Sequence, residues 1–505
     1  MNLNLTTKIF SLYSKFRLME INNLKNKPYP VQESFLFSIL EKARDTEYGK
    51  KYNFKNIKSL EDFQKNVPIN SYEEFHPYIE RMLQGEENVL WPGLVENFSK
   101  SSGTTARSKF LPVSEELLES CFKAGQDQLM LYLKNNPTSS VLEGKSIFVG
   151  GSLNKIKDNP AIFCGDVSAI LMHNLPPFAR YFRTPSLETA TLDDYEVKLE
   201  KLAEETSEED VRSLAGTPTW TIALIKKVIE KKNVKNILEV WPNLEVFFHG
   251  AVSFLPYREI FKELIPTDKM HYMEAYNASE GYFALQDDLS KNGEMWIAPD
   301  YGVFYEFIPL REYCKENPKV YTMKDVKVDE SYVLLITTNA GLYRYLIGDT
   351  VTFTSLFPHR IKITGRTKHF INAFGEEVVV HNTDKAIEET CLKTSARIAE
   401  YTACPVFMND ENSGGHEWII EFEKEPRNIE EFRDILDSSL RQINSDYDAK
   451  RHKDIILKKL KLNVASPGTF YNWLKSKGRL GGQNKVPRLS GSREYVEEIL
   501  KFMNL

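Results

Sequence analysis

The chain has 505 residues, too many for one hydrophobic core, since cores stop growing near roughly 250–300 residues and chains then split into domains. Its 42% hydrophobic and 27% charged residues exclude a disordered or collagen-like chain. Lys and Arg number 65 against 71 Asp and Glu, a net charge of −6, which argues against a general nucleic-acid binder.

The first residues, MNLNLTTKIFSLYSKFRLME, scatter Lys, Arg and Glu among the apolar positions. They lack the unbroken apolar core and the cleavage site of a signal peptide, and no stretch approaches the ~18 apolar residues of a membrane span. Five widely spaced cysteines (Cys121, Cys164, Cys314, Cys391 and Cys404) form no CxxC pair, and no HxxxH or HExxH pairs are present. Unpaired thiols in a reducing, cytoplasmic setting are expected, rather than a disulfide framework or a zinc site.

The first hundred residues read as helices with loops, with Ser59 and Ser71 placed as caps ahead of acidic first turns. From about Val141 short β-rich runs take over: KSIFVGG, NLEVFFHG, KMHYMEAYN, EMWIAP, VFYEFIPL and SYVLLITT. The runs EVKLEKLAEE and WTIALIKKVIEKK between them have helical spacing. Alternating strands and helices predict an α/β domain with a mixed sheet. A boundary is expected near Gly365–Gly375. Beyond it, HNTDKAIEETCLKTS, TACPVFMND, GGHEWIIEFE and NIEEFRDILDSSLRQIN predict a small α+β domain of helices and strands. The division is therefore 1–366 and 367–505. From Arg451 onward, 12 Lys and Arg face 4 Asp and Glu; such a segment meets a polyphosphate, a nucleic acid or only solvent.

Five segments carry chemistry. In SSGTTARSKFLPVS, Ser101, Ser102, Gly103, Thr104 and Thr105 offer hydroxyls and a backbone able to turn around an anion. Lys109 adds a positive charge, and a helix follows. The loop lacks the Walker A spacing, and a polar turn is its ordinary alternative. In YNASEGYF, Glu280 follows a predicted strand and suits Mg²⁺, or else is a solvated loop residue. In YRYLIGDTV, Asp349 is placed to accept ribose hydroxyls, or else is a turn aspartate. In GRTKHFINAFGEE, Arg366 offers fixed donors. In GGQNKVPRLS, Lys485 sits in a Gly-rich loop from which an ammonium can reach a phosphate.

In this order the five segments resemble the sequential signature of the adenylate-forming superfamily, which includes acyl-CoA synthetases and luciferase. TEYGKKY, FQKNVPINSYEEFHPYIERM, LAGTPTW, FFHGAVSF and the terminal GGQNKVPR narrow it. They are similar to the Gretchen Hagen family of acyl-acid amido synthetases, over essentially the whole chain. Departures are Ala106 and Ser108, where relatives usually have Gly and Pro, and the second Glu of Gly375-Glu376-Glu377.

The resemblance implies a large N-terminal adenylate-forming domain that binds ATP and the acyl acid, and a mobile C-terminal lid carrying Lys485. It implies a carboxylic acid activated with MgATP to an acyl-adenylate, then transferred to an amine such as an amino acid's, with neither nucleic acid nor membrane as partner. Ser101 to Thr105 and Lys109 would hold the β- and γ-phosphates. Tyr276, Ala278 and Ser279 would line the nucleotide site, Glu280 would hold Mg²⁺, and Asp349 and Arg366 would fix the ribose. Lys485 would bring the α-phosphate and the attacking carboxylate together, after rotation about Arg366–Lys368. Leu118, Cys121, Phe122, Trp220 and Phe248, with the backbone at Gly250 and Ala251, are the acyl-pocket candidates; each side chain is equally suited to an ordinary core. A thiol-acylating ligase and a non-catalytic binding protein are the competing readings.

Overall fold

The computed structural model describes residues 3–101, 109–156, 159–251, 254, 257–313, 315–367, 370–371, 376, 378–407, 414–451, 457–480 and 485–503. The chain forms two compact units. The first takes Met1–Ala251, Thr267–Ile347 and Val351–Lys362; the second takes Val252–Pro266, Gly348–Thr350 and Ile363–Leu505.

Helices open the first unit, and the two predicted serines start two of them. Ser59 Oγ accepts from the Asp62 N–H while the Asp62 carboxylate accepts from the Ser59 N–H, a capping box for the helix Leu60–Asn66. Ser71 and Glu74 form a second box at Tyr72–Leu83. Each satisfies N–H groups that a helix start leaves unpaired, worth about 1 kcal/mol. The first helix, Leu3–Asn26, is tied down by Arg17, whose guanidinium donates to Asp127 at 2.6 Å and to Asp300 at 2.9 Å.

The strands of this unit are β1 (Asn97–Ser101), β2 (Lys109–Val113), β3 (Lys145–Val149), β4 (Leu153–Ile156), β5 (Asn159–Gly165), β6 (Arg183–Thr184), β7 (Val211–Gly216), β8 (Val246–Gly250), β9 (His271–Ala278), β10 (Gly281–Leu285), β11 (Met295–Ile297), β12 (Val303–Pro309), β13 (Ser331–Thr338), β14 (Tyr345–Leu356) and β15 (His359–Arg366). Gly348–Thr350 of β14 and the end of β15 group with the second unit. Eleven of the described strands form one sheet in the order β12-β13-β14-β15-β11-β10-β9-β8-β7-β3-β6. From β9 to β6 neighbours run parallel; β9-β10, β10-β11, β11-β15 and β12-β13 run antiparallel. The predicted mixed sheet is thus present. A second sheet, β2-β1-β5-β4, stands apart from the sequence reading, which expected no strand before about Val141 and treated Ser101–Ser114 as loop.

A core cluster is built on the helix Glu115–Asn135, where Leu117, Leu118, Cys121, Ala124 and Leu131 are buried with Met273, Tyr282 and Trp296. Among the described residues no helix is long and apolar enough to cross a membrane.

In the second unit β16 (Phe370–Ile371) pairs with β17 (Val378–Val379), and β18 (Arg397–Val406), β19 (Gly415–Lys424) and β20 (Lys461–Ala465) form a three-stranded sheet. The helices Val380–Thr394 and Ile429–Ile443 share its core, in which Tyr401 and Trp418 stack 5.6 Å apart. The described residues of the basic segment are folded against the rest of the unit. Its helices Thr469–Ser476 and Glu494–Phe502 bury Phe470, Trp473, Val496 and Ile499 in one cluster. Its cations meet carboxylates: Arg451 with Asp437 at 2.8 Å, Lys477 with Glu498 at 2.7 Å and Arg493 with Glu417 at 2.7 Å.

Candidate active site

Parallel sheets present their ligands at the carboxyl ends of the strands. Here the register lines up the ends of four neighbours: Val149 lies opposite Gly216, Gly216 opposite His249, and Gly250 opposite Ala275. Gly250 is required by close approach, since a Cβ there would stand 2.5 Å from the Ala275 carbonyl oxygen. Ala251, exposed at φ 73°, turns the chain out of the sheet.

This edge gathers much of what the sequence singled out. Tyr276, 4% exposed, packs edge-on against Phe283 at 4.8 Å, and Ala278 ends β9. Ser279 and Glu280, both buried, form the turn into β10. Trp220, in the first turn of the helix Pro218–Lys232, sits 4.5 Å from the Tyr195 ring, and its buried Nε1 has no hydrogen-bond partner among the described residues. Phe248 and Phe122 pack on the core cluster that contains Leu118 and Cys121. Burial pushes the Cys121 thiol up to about 12, so it behaves as a small apolar side chain.

The hydroxyl-rich loop leaves the end of β1. Ser99, two residues before Ser101, donates from Oγ to the Ser279 carbonyl at 2.8 Å, so β1 is tied to the turn that holds Glu280. Ser101 lies opposite Lys109 across the β1-β2 hairpin. Ser102, Gly103, Thr104 and Thr105, with Ala106 and Ser108, lie outside the described residues. Lys109 Nζ stands 5.0 Å from the Tyr72 ring centre, and the hydroxyl of Tyr72 accepts from the Phe110 N–H at 3.0 Å. The expected succession of loop and helix is interrupted by β2. The helix Glu115–Asn135 starts only afterwards, and Ser114 Oγ caps the Leu117 N–H at 3.1 Å.

One residue at this edge escaped the sequence reading. Lys198, 4% exposed, donates to the carbonyls of Gly150 and Gly151 at 2.7 and 2.8 Å and holds the turn after β3. Burial lowers its ammonium to about 8, against the opposing pull of Asp166 and Asp193. The signal was a lysine on the buried stripe of a helix, in line with Leu202 and Thr206.

In the second unit, Arg366 donates from Nε to Asp349 Oδ1 at 2.6 Å, and the Thr367 N–H donates to the Gly348 carbonyl at 2.7 Å. Glu376, fully buried, faces Nε2 of His416 at 3.1 Å; Gly375 and Glu377 lie outside the described residues. Lys485 is half-buried and begins a segment whose next five residues are buried. The first unit therefore joins Ser99, Ser279 and Glu280, and the second joins Asp349 and Arg366.

The donor set suits magnesium held on a substrate polyphosphate. Among the described residues there is no cluster of three or more metal-ligating side chains. Mg²⁺ on nucleotides takes one or two protein carboxylates, with phosphate and water as its other ligands. Glu280 supplies one carboxylate at a strand turn.

Comparison with known proteins matches this architecture. The chain is 23% identical to indole-3-acetic acid-amido synthetase GH3.3 of Arabidopsis thaliana, over 91% of this chain and 89% of that protein. Its fold is similar to the structure titled AtGH3.15 acyl acid amido synthetase in complex with 2,4-DB, at a TM-score of 0.78 and 18% identity, covering 97% and 96% of the two chains. It is also similar to 2-hydroxyisobutyryl-CoA ligase in the postadenylation state, at a TM-score of 0.60 and 12% identity, covering 95% and 94%. The GH3 family N-terminal domain matches residues 17–270, the central domain 296–366 and the C-terminal domain 381–494. With these three domains following one another along most of its length, the chain belongs to the GH3 family of acyl acid amido synthetases.

Proposed function

We propose that this protein uses ATP and magnesium to convert a carboxylic acid into an acyl-adenylate, and then joins the acyl group to the amine of an amino acid. A carboxylate resists amines at neutral pH because its leaving group would be an oxide. In the first half-reaction a carboxylate oxygen attacks the α-phosphorus and pyrophosphate leaves. In the second the amine nitrogen attacks the acyl carbon, loses a proton, and AMP leaves.

The observation that carries the reading is the Ser99–Ser279 hydrogen bond. It supports a shared site for the hydroxyl-rich loop after β1 and the Glu280 carboxylate. Bound Mg²⁺ neutralises polyphosphate charge, and Glu280 is the residue that holds it. Ser101 to Thr105 and Lys109 bind the β- and γ-phosphates, and Tyr276, Ala278 and Ser279 border the nucleotide. Asp349 and Arg366 fix the ribose. Leu118, Cys121, Phe122, Trp220 and Phe248, with the Gly250-Ala251 backbone, border the acyl group. Lys485, carried by the domain 367–505 as a lid, cancels the repulsion between the attacking carboxylate and the α-phosphate. A cytoplasmic setting fits the free thiols of Cys121, Cys164, Cys391 and Cys404.

ATP–pyrophosphate exchange against a panel of carboxylic acids tests the first half-reaction, and Lys485→Ala should slow it by about 10²–10³-fold. AMP release on adding amino acids or coenzyme A then tests the acceptor. Exchange with no acid in the panel, or release driven by coenzyme A alone, would sink the amide-forming reading.

A further inference from the structure

The NKVPR run ends in an arginine that the reaction as described leaves without a task. Arg488, three residues beyond Lys485, is 8% exposed. Its Nη1 donates to Asp384 Oδ1 at 2.8 Å and its Nη2 to the Tyr257 hydroxyl at 2.5 Å, with the Glu400 carboxylate 3.7 Å away. The guanidinium lies 4.7 Å from the Tyr401 ring centre, and the Tyr401 hydroxyl donates to the same Asp384 oxygen at 2.6 Å. The backbone around it is fixed as well. The Arg488 carbonyl accepts from the Ala403 N–H at 2.9 Å, the Ser490 N–H donates to the Ala403 carbonyl at 3.0 Å, and the Pro487 carbonyl accepts from Thr402 Oγ1 at 2.6 Å. Val486 to Ser490 thus lie buried along β18, joined to it by a single parallel bridge between Leu489 and Ala403.

Burying a guanidinium is costly, and well-packed apolar residues of similar volume often stabilise a protein as well or better. What a planar, forked cation gives that apolar packing does not is a fixed register: its donors reach two partners only at one position along β18. Lys485 is the last residue before that fixed stretch. We infer that Arg488 is a positioning residue for the reaction, holding the segment that carries Lys485 in the register that adenylation requires. This inference rests on the adenylation role proposed for Lys485.

The test is ATP–pyrophosphate exchange by the full chain in the wild type, Lys485→Ala, Arg488→Met and the double variant, with thermal melts of each. Arg488→Met should lower kcat about ten- to hundredfold, the scale of a misplaced catalytic group, with KM for MgATP within about twofold, as expected of a residue that acts only through another. The double variant should exchange no more slowly than Lys485→Ala alone, because there is nothing left to position. Losses that multiply in the double variant, or a wild-type rate in folded Arg488→Met, would overturn the inference. A wild-type rate in Lys485→Ala would overturn it together with the role of Lys485, whereas a slow Lys485→Ala with multiplying losses leaves that role standing. If Arg488→Met does not melt cooperatively, Tyr257→Phe removes one hydroxyl and serves in the same cycle. It should slow exchange by a smaller factor in the wild type, and by none in Lys485→Ala; an equal loss in both backgrounds overturns the inference.

Discussion

Arg366 and Asp349, both expected to hold the ribose, hold each other: Nε donates to Oδ1 at 2.6 Å. A carboxylate accepts several hydrogen bonds, and the ribose role proposed for Asp349 requires that nucleotide hydroxyls be among its donors. Asp349→Ala should therefore erase a preference rather than merely weaken binding. The wild type should favour ATP over 2′,3′-dideoxy-ATP by about ten- to hundredfold in kcat/KM, the range for a hydrogen bond to a charged group, and the variant should treat the two alike. Undiminished discrimination in Asp349→Ala would remove the ribose assignment.

Two glycine-to-alanine changes should move stability in opposite directions. At Gly250 the new methyl would meet the Ala275 carbonyl at 2.5 Å, and β8 and β9 would have to part at the end where the chain turns through Ala251. A loss of about 1–3 kcal/mol is expected, with adenylation reduced as well. At Gly125, inside the helix Glu115–Asn135, the methyl meets nothing within 4 Å. Gly125→Ala should stabilise by about 0.5–1 kcal/mol through helix propensity. Thermal melts of the two variants check both signs.

Where local pattern decided the structure, the sequence was readable. Ser59 and Ser71 start their helices through boxes written within four residues. The apolar runs of β8 and β12 are strands because nearly every residue in them is buried in the large sheet. The β1-β2 hairpin was missed because NFSKS is short and polar, and its parallel partner β5 lies some sixty residues away. Such pairing is set by tertiary context rather than by local propensity. The basic terminal segment was legible in its charge but not in its partners. Composition shows an excess of cations, whereas the partners Asp384, Glu417 and Asp437 come from earlier elements. Among the candidate residues, Glu280 and Asp349 stand out by their motifs, whereas the contacts of Lys198 and Arg488, made with carbonyls and rings distant in sequence, do not show in any motif.

Magnesium dependence gives a prediction centred on Glu280. Asking one carboxylate to share the ion with phosphates means that Glu280→Gln should raise the Mg²⁺ concentration for half-maximal exchange by about tenfold, the scale of a lost charged partner. Excess Mg²⁺ should restore part of the rate. An unchanged Mg²⁺ titration would move the metal to other ligands.

Six residues before Glu280, on the strand that leads into its turn, Glu274 makes stability depend on pH. Its backbone N–H donates to Gln286 Oε1 at 2.9 Å, and its carboxyl lies where burial pushes it up to about 7, against the weaker opposing pull of Lys362. The folded chain therefore keeps a proton that the unfolded chain releases near the ordinary glutamate value of 4.5. Below that value the group favours folding fully; as the pH rises through about 7 the advantage is lost. Across that window the wild type should lose at most about 3 kcal/mol on this account, and less as far as water reaches the carboxyl. Glu274→Gln keeps the shape and cannot ionise, so it should flatten the fall in Tm between pH 5 and about 7 and melt higher than the wild type at pH 8. A variant whose Tm falls with pH as steeply as the wild type would show that the buried proton sits elsewhere.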